Sequence, residues 1–453
     1  MKVGIVGGGI TGLAAAHELA KRGCEVAVYE RDSLLGGLAG SFEIQGEYLE
    51  KFYHNISDLD AAMIQLAKEV GPAEDLHWKN SKFGFYYVNK IYRFDSPLDI
   101  LRFKPLNLLE RLRMGLGVFK IQSVKDWRVL DAASAKEFIV RAMGEKAYRV
   151  VWEPLLKNRF GAEHYEGISA SWLWAKINSP EKSKSTAVQK KVGHYRGGFE
   201  RLFRRLAESV IQKGGRVLSK TPVVRIESRE GRVHGLTTAG GYEPFDRVIA
   251  TVPLPIFLEL TPELPAAYRE NLEKFKYLGV ACLVLVLKQS LTHNYWVNVN
   301  DPEFPFVGII EHTNLDWRET IHGKHVVYIP KYTDPSSTYY RSSKEELLEI
   351  YFPFLKRIFP AFEKNWISEM YLWKEKYAQP LTTVGYGGRI PPLQTPLQNL
   401  YLATMAQIYP EDRGMDNGVR LAKELVDFLV RPHPVSPPPL KLASQGPARL
   451  VPG

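Results

Sequence analysis

Residues 2–30 constrain this chain more than any other stretch. Lys2–Val6 is a short apolar run suited to a buried parallel strand, and Gly7, Gly9 and Gly12 follow it in the spacing G-x-G-x-x-G. In that spacing the first glycine makes a tight turn, the second lets backbone approach a diphosphate, and the third lets helix and strand pack closely. The pattern predicts a helix from Ile10 to Arg22, with Leu13, Ala16, Leu19 and Ala20 on its apolar side and Gly23 as its stop. The first turn, with Ile10 and Thr11, offers a phosphate free backbone N–H groups and the positive end of the helix dipole. "CEVAVY" is the next strand. Glu30 closes it, eighteen residues past Gly12, where a carboxylate accepts from ribose hydroxyls. Arg31 follows. A carboxylate there disfavours a 2′-phosphate, so NADP is set aside and NAD and FAD remain.

A chain of 453 residues is too long for one ordinary domain and suits two or three. The 12% aromatic share suits either a site for a flat ligand or ordinary core packing. Net charge of +10 favours acidic partners, but with no nucleic-acid module or long basic block, nucleic acid is not expected. The two cysteines, Cys24 and Cys282, lie far apart; they exclude a disulfide framework and a CxxC zinc site and fit a reducing cytoplasm. The histidines show no metal-ligand spacing, so no metal is expected. No signal peptide precedes the first strand. The longest apolar run, "LGVACLVLVL" (278–287), is about half the roughly eighteen residues a spanning helix needs and reads as a buried strand.

"RDSLLGGLAGSF" decides between the two dinucleotides. Gly36-Gly37 stands just after Glu30, and a glycine pair lets backbone N–H groups meet phosphate with no Cβ in the way. This resembles the second diphosphate element of glutathione-reductase-type FAD proteins, and more narrowly the flavin amine oxidase, protoporphyrinogen oxidase and phytoene desaturase clan. UDP-galactopyranose mutases are more distant relatives. The resemblance covers the chain up to about residue 430 and implies non-covalent FAD. It departs from the clan at Leu38, where a basic residue is common. It departs again at Ala403-Thr404-Met405, where the usual strand end is A-G-D or A-G-E. Thr404 and Met405 are kept as cofactor candidates, with Glu411 or Asp412 as substitutes for the missing acid.

The resemblance implies an α/β chain: a Rossmann-like FAD-binding domain (1–75, 190–269 and 380–430) with an interleaved α+β substrate domain (76–189 and 270–379). A Pro-rich disordered tail (431–453) follows. By the same resemblance Val223 and Val224 lie near the adenine end. Gly414 and Met415 begin a last helix whose N-terminus faces the flavin and stabilises the negative charge of its reduced form. Tyr53 and His54, in "GEYLEKFYHNIS", are candidates to face the flavin ring, and Tyr377, in "WKEKYAQP", is a candidate wall of the substrate pocket. Residues 82–97 read as a hairpin turning at Asn89-Lys90. Ser134 and Glu137 form a capping box, and 179–191 reads as a polar loop. Residues 98–122, divided at Pro105, alternate Leu108, Leu109, Leu112, Leu116 and Phe119 with basic residues. Such a helix covers a core or lies on an anionic membrane surface.

A single G-x-G-x-x-G argues against a second bound nucleotide. The expected activity is an FAD-dependent oxidation of a small or lipid-like, apolar or flat substrate by hydride transfer to flavin N5, with reoxidation by oxygen or a quinone. The expected setting is the cytoplasm or the inner membrane face. One alternative is a redox-neutral flavin enzyme acting on a sugar nucleotide, in which Arg159, Arg196 and Arg389 would converge. A second is an FAD-binding protein with no turnover.

Overall fold

The computed structural model of the chain describes residues 1–93, 99, 101–178, 191–315 and 321–431. The polar loop at 179–190 and the Pro-rich tail from 432 therefore lie outside the described residues. A five-stranded parallel sheet runs in the order Arg216–Leu218, Glu25–Tyr29, Lys2–Val6, Arg247–Ala250 and Leu400–Leu402. Its central strands are unbroken apolar runs because both faces are covered. Val3, Ile5, Val26 and Val28 pack under the helices Ile10–Lys21, Gly198–Gln212 and Met415–Val430. Val6, Ala27, Val248 and Ala250 face Ile226, Leu236 and Phe245 from the region of a three-stranded meander. The first helix sits close on its strand: a Cβ on Gly12 would come within 2.0 Å of the Gly7 carbonyl oxygen.

The second large sheet has seven strands, ordered Ile367–Pro380, Tyr277–Leu287, His325–Thr333, Gly308–Glu311, Trp296–Val299, Phe83–Tyr87 and Lys90–Arg93. Tyr277–Leu287 is the buried strand that its sequence predicts. Cys282, Val284 and Val286 face the helical region 108–178, while Leu283, Leu285 and Leu287 face the helix Lys344–Ile358. The 83–93 hairpin turns one residue earlier than expected, at Val88 and Asn89, both at positive φ. Leu76–Asn80, assigned from sequence to the substrate part, pairs instead with Lys191–Tyr195, whose other partner is Ile56–Ser57.

The helix Leu108–Gln122 starts at Asn107, whose side chain and that of Glu110 form a reciprocal capping box. Its buried residues are Met114, Gly117 and Ile121. Leu108, Leu109, Leu112, Leu116 and Phe119 are 50–77% exposed. At 100° per residue these five fall within an arc of about 100° opposite the packed face. The apolar stripe therefore does not cover the core. Among the described residues no helix is long and apolar enough to cross a membrane.

Candidate functional site

The two glycine motifs meet at the carboxyl end of the parallel sheet. Gly9 and Gly36 form a bridge, and the Gly36 N–H donates to the Gly8 carbonyl at 2.9 Å. Gly36 holds φ +108°, and a Cβ there would strike the Phe203 ring at 2.4 Å, so only glycine fits. Gly9 begins the first helix with no side-chain cap, which leaves its first N–H groups free for an anion. Glu30 is buried and already oriented: its Oε2 accepts the Gly8 N–H at 2.7 Å and its Oε1 the Asp32 N–H at 2.9 Å. Each oxygen keeps a lone pair for a hydroxyl.

These groups line one end of a continuous cavity of about 2750 Å³, beyond the 300–1,000 Å³ typical of a single small ligand. Gly7, Gly9, Ile10, Thr11, Glu30, Arg31, Gly36, Gly37 and Leu38 all line it. The cradle fits a dinucleotide: a Cβ on Gly9 would meet nothing nearer than 3.9 Å, which leaves room over the backbone where a diphosphate would lie, with Glu30 placed where a ribose would follow. Gly12 does not line it, in keeping with its packing role. Val223 lines the cavity, whereas the Val224 side chain is 61% exposed, at a register irregularity between Val223 and Arg225; that exposure concerns the side chain and leaves the backbone contacts expected near these two residues untouched. Met405 lines the cavity, but Thr404 is buried behind it, its N–H donating to Gln407 Oε1 at 2.7 Å. Gly414 and Met415 line the far side, where Gly414 caps the helix Met415–Val430 without a side-chain acceptor. Its free N–H groups favour negative charge at that end.

Past this helix the cavity opens into an aromatic chamber that holds Tyr53, Trp152, Trp172, Trp296 and Tyr332. Tyr53 stands edge-on to Trp296 at 4.9 Å, and its hydroxyl is 2.8 Å from that of Tyr332. Burial pushes the Tyr53 hydroxyl well up, so it stays protonated. Burial also acts on Tyr332, but Arg413 and Arg159 outweigh it and lower its pKa. Either hydroxyl of the pair can donate to the other. His54 Nδ1 lies 3.0 Å from the Phe52 carbonyl, which makes Nδ1 the donor and leaves Nε2 a free lone pair. Burial lowers His54 to about 4, so it is neutral near pH 7. Tyr377 lines a different wall, edge-on to Tyr277 at 5.8 Å.

Of the three arginines expected to converge, only Arg159 reaches the cavity. Arg196 donates to His77, and Arg389 to Thr383 and its own turn. The structure supplies Arg413 and Lys176 in their place, neither singled out by the sequence. Asp412 sits among them: its Oδ1 accepts from Arg159 at 2.8 Å and Trp172 at 2.9 Å, and its Oδ2 from Lys176 at 2.9 Å. Asp412 is thus committed to this cluster, and Glu411 pairs with Arg420.

The family model described as flavin containing amine oxidoreductase matches residues 10–420. Zeta-carotene desaturase of Synechocystis sp. is 25% identical over 337 residues, 67% of this chain and 67% of that protein. Protoporphyrinogen oxidase 2 of Arabidopsis thaliana is 24% identical over 193 residues, 41% of this chain and 38% of that protein. A crystal structure of reduced UDP-galactopyranose mutase superposes with a TM-score of 0.74 at 16% identity, covering 94% of this chain and 95% of that one. That likeness shows the fold.

Proposed function

The chain belongs to the flavin containing amine oxidoreductases and its cofactor is FAD; on that premise we propose that it dehydrogenates a flat or apolar substrate, as its protoporphyrinogen oxidase and carotene desaturase relatives are named for doing. The observation that carries this reading is the continuity of the cavity, from the Gly9–Gly36 cradle past the uncapped helix at Gly414 to the aromatic chamber. FAD supplies the hydride acceptor, N5, and oxygen or a quinone takes the electrons onward. The protein's part is positioning and electrostatics. Tyr53 and Trp296 offer apolar faces to stack a flat molecule. The neutral His54 keeps an acceptor lone pair for a substrate proton, and the N-terminus of Met415–Val430 stabilises negative charge arising beside it. The purified protein, read for flavin absorption and mixed with tetrapyrrole, isoprenoid and amine panels, tests this. Substrate-dependent bleaching with recovery in air is expected. Turnover only after prior reduction would favour the sugar-nucleotide reading instead, and a protein that takes up no FAD would defeat both.

The stripe on the helix Leu108–Gln122 extends the proposal. Five exposed apolar side chains flanked by the exposed cations Arg113, Lys120 and Lys125 match an anionic bilayer surface in both chemistry and charge. Val118 and Gln122 of the same helix line the cavity, so a lipid-dissolved substrate would enter where the protein docks. Co-sedimentation with phosphatidylglycerol vesicles is expected, weakened by high salt and lost in Leu116→Asp. Equal sedimentation of that variant would reject the docking surface.

A further inference from the structure

Among the described residues, the chamber holds more positive charge than its own carboxylate neutralises. Arg159 comes from the helix Glu153–Phe160, Lys176 from Ala170–Asn178, and Arg413 from the segment before Met415–Val430. All three line the cavity. Against them, among the described residues, stands one carboxylate, Asp412, bonded to Arg159 and Lys176. Burial pushes Asp412 up, but Arg159 and Lys176 outweigh it and hold it well below the usual carboxylate range, so it is ionised. The cluster therefore carries three positive charges and one negative, a net of two. Among the described residues Arg413 donates to the neutral partners Tyr332 and Gln379. Arg159 Nε is buried and donates to nothing among the described residues. The other acids nearby are engaged elsewhere: Glu411 and Asp416 both pair with Arg420. Uncompensated cations in a chamber walled by Trp152, Trp172 and Tyr332 are costly unless a counter-charge arrives. Planar guanidinium forks match carboxylate and phosphate oxygens.

We propose that the substrate carries an acidic group, a carboxylate or a phosphate, which Arg159, Lys176 and Arg413 receive in this chamber. The inference rests on the oxidoreductase reading and narrows it. A protonated amine would meet net repulsion here, and an uncharged hydrocarbon would leave the cations unmatched. The aromatic walls take the body of the molecule while the cations hold one end of it. The Tyr53–Tyr332 hydroxyl pair adjoins Arg413, which donates to Tyr332, and completes the polar face.

The test is isothermal calorimetry on the FAD-loaded full chain with three probes: benzoate, inorganic phosphate and benzylammonium. At least one anion is expected to bind saturably, and benzylammonium not at all; whichever of benzoate and phosphate binds more tightly identifies the acidic group. Arg159→Gln is expected to weaken anion binding at least tenfold. Asp412→Asn removes the competing carboxylate and is expected to tighten it several-fold, a gain that damage to the fold does not produce. Neither anion binding, benzylammonium binding as tightly as the anions, or weaker binding in Asp412→Asn would each overturn the proposal. The flavin spectrum of the same sample reports on the underlying reading separately: a yellow protein that binds no anion defeats this inference alone, and a colourless one defeats the flavin reading.

Discussion

Glu30→Gln separates a prepared ribose acceptor from an incidental buried acid. Glu30 uses one oxygen for the Gly8 N–H at 2.7 Å and the other for the Asp32 N–H at 2.9 Å. Glutamine has a single oxygen acceptor, so one of these N–H groups must face an NH2 group and go unpaired. An unsatisfied buried donor costs about 1–3 kcal/mol, so the variant should unfold at lower denaturant by that amount before any ligand is considered. The second effect is on FAD. A charged acceptor of a hydroxyl hydrogen bond is worth about 1.5–3 kcal/mol, so FAD affinity should fall by roughly 10- to 100-fold. Fluorescence titration of apoprotein with FAD measures the second effect, and urea unfolding without FAD measures the first. Glu30→Asp keeps the charge but is one methylene shorter and should recover only part of either. Wild-type FAD affinity in Glu30→Gln would refute the assignment of Glu30 to the ribose, and unchanged unfolding would refute the turn argument.

Gly36→Val should abolish flavin retention on desalting while leaving far-UV circular dichroism near native, because the new side chain meets Phe203 and a positive φ at the glycine pair. Acid should destabilise the fold through Glu50, which is fully buried against His194 at 2.8 Å. Burial raises the Glu50 pKa but His194 overrides this, lowering it from 4.5 to about 2. A depressed carboxyl pKa stabilises above its unfolded value. That contribution, roughly 3 kcal/mol, should be lost between about pH 4.5 and 2 and should be missing from the acid limb of Glu50→Gln. His54 adds to the trend with its own sign: the unfolded imidazole takes up a proton below about 6.5 and the folded one only near 4, so stability falls with pH across that window. His54→Phe should flatten it in a melting series run from pH 7 to 4.

The parallel sheet and the turn at its first strand were legible because each step has a short-range cause. The turn glycines, the helix stop at Gly23 and the acid after the second strand all sit within thirty residues, and each responds to backbone geometry. Tyr277–Leu287 was legible for a related reason: an unbroken apolar run must be covered on both faces, and the seven-stranded sheet covers it. Errors arose where one strand position or one partner decides. The 83–93 hairpin turns at Val88 and Asn89, one residue before the expected Asn89-Lys90. Leu76–Asn80 carries no mark of its pairing with Lys191–Tyr195, more than a hundred residues on. The leucines of 108–119 show the period of a packed helix, and only the structure shows that Met114, Gly117 and Ile121 are the packed side.

The chamber was the least legible part, because its chemistry belongs to no local motif. Arg159, Lys176, Tyr332 and Arg413 come from four separate segments, and of these only Arg159 stands out in the sequence, as a candidate for a sugar-nucleotide pocket. The one local signal was "EDRGMD": a lone arginine directly before the glycine that opens the last helix. A helix N-terminus already favours an anion, and a guanidinium next to it strengthens that preference. A sequence that places both at the start of Met415–Val430, on the cavity wall, therefore favours negative charge there twice over. Asp412, one residue earlier, answers part of that demand and cannot answer all of it, since its two oxygens are taken by Arg159, Trp172 and Lys176 and none reaches Arg413 among the bonds described.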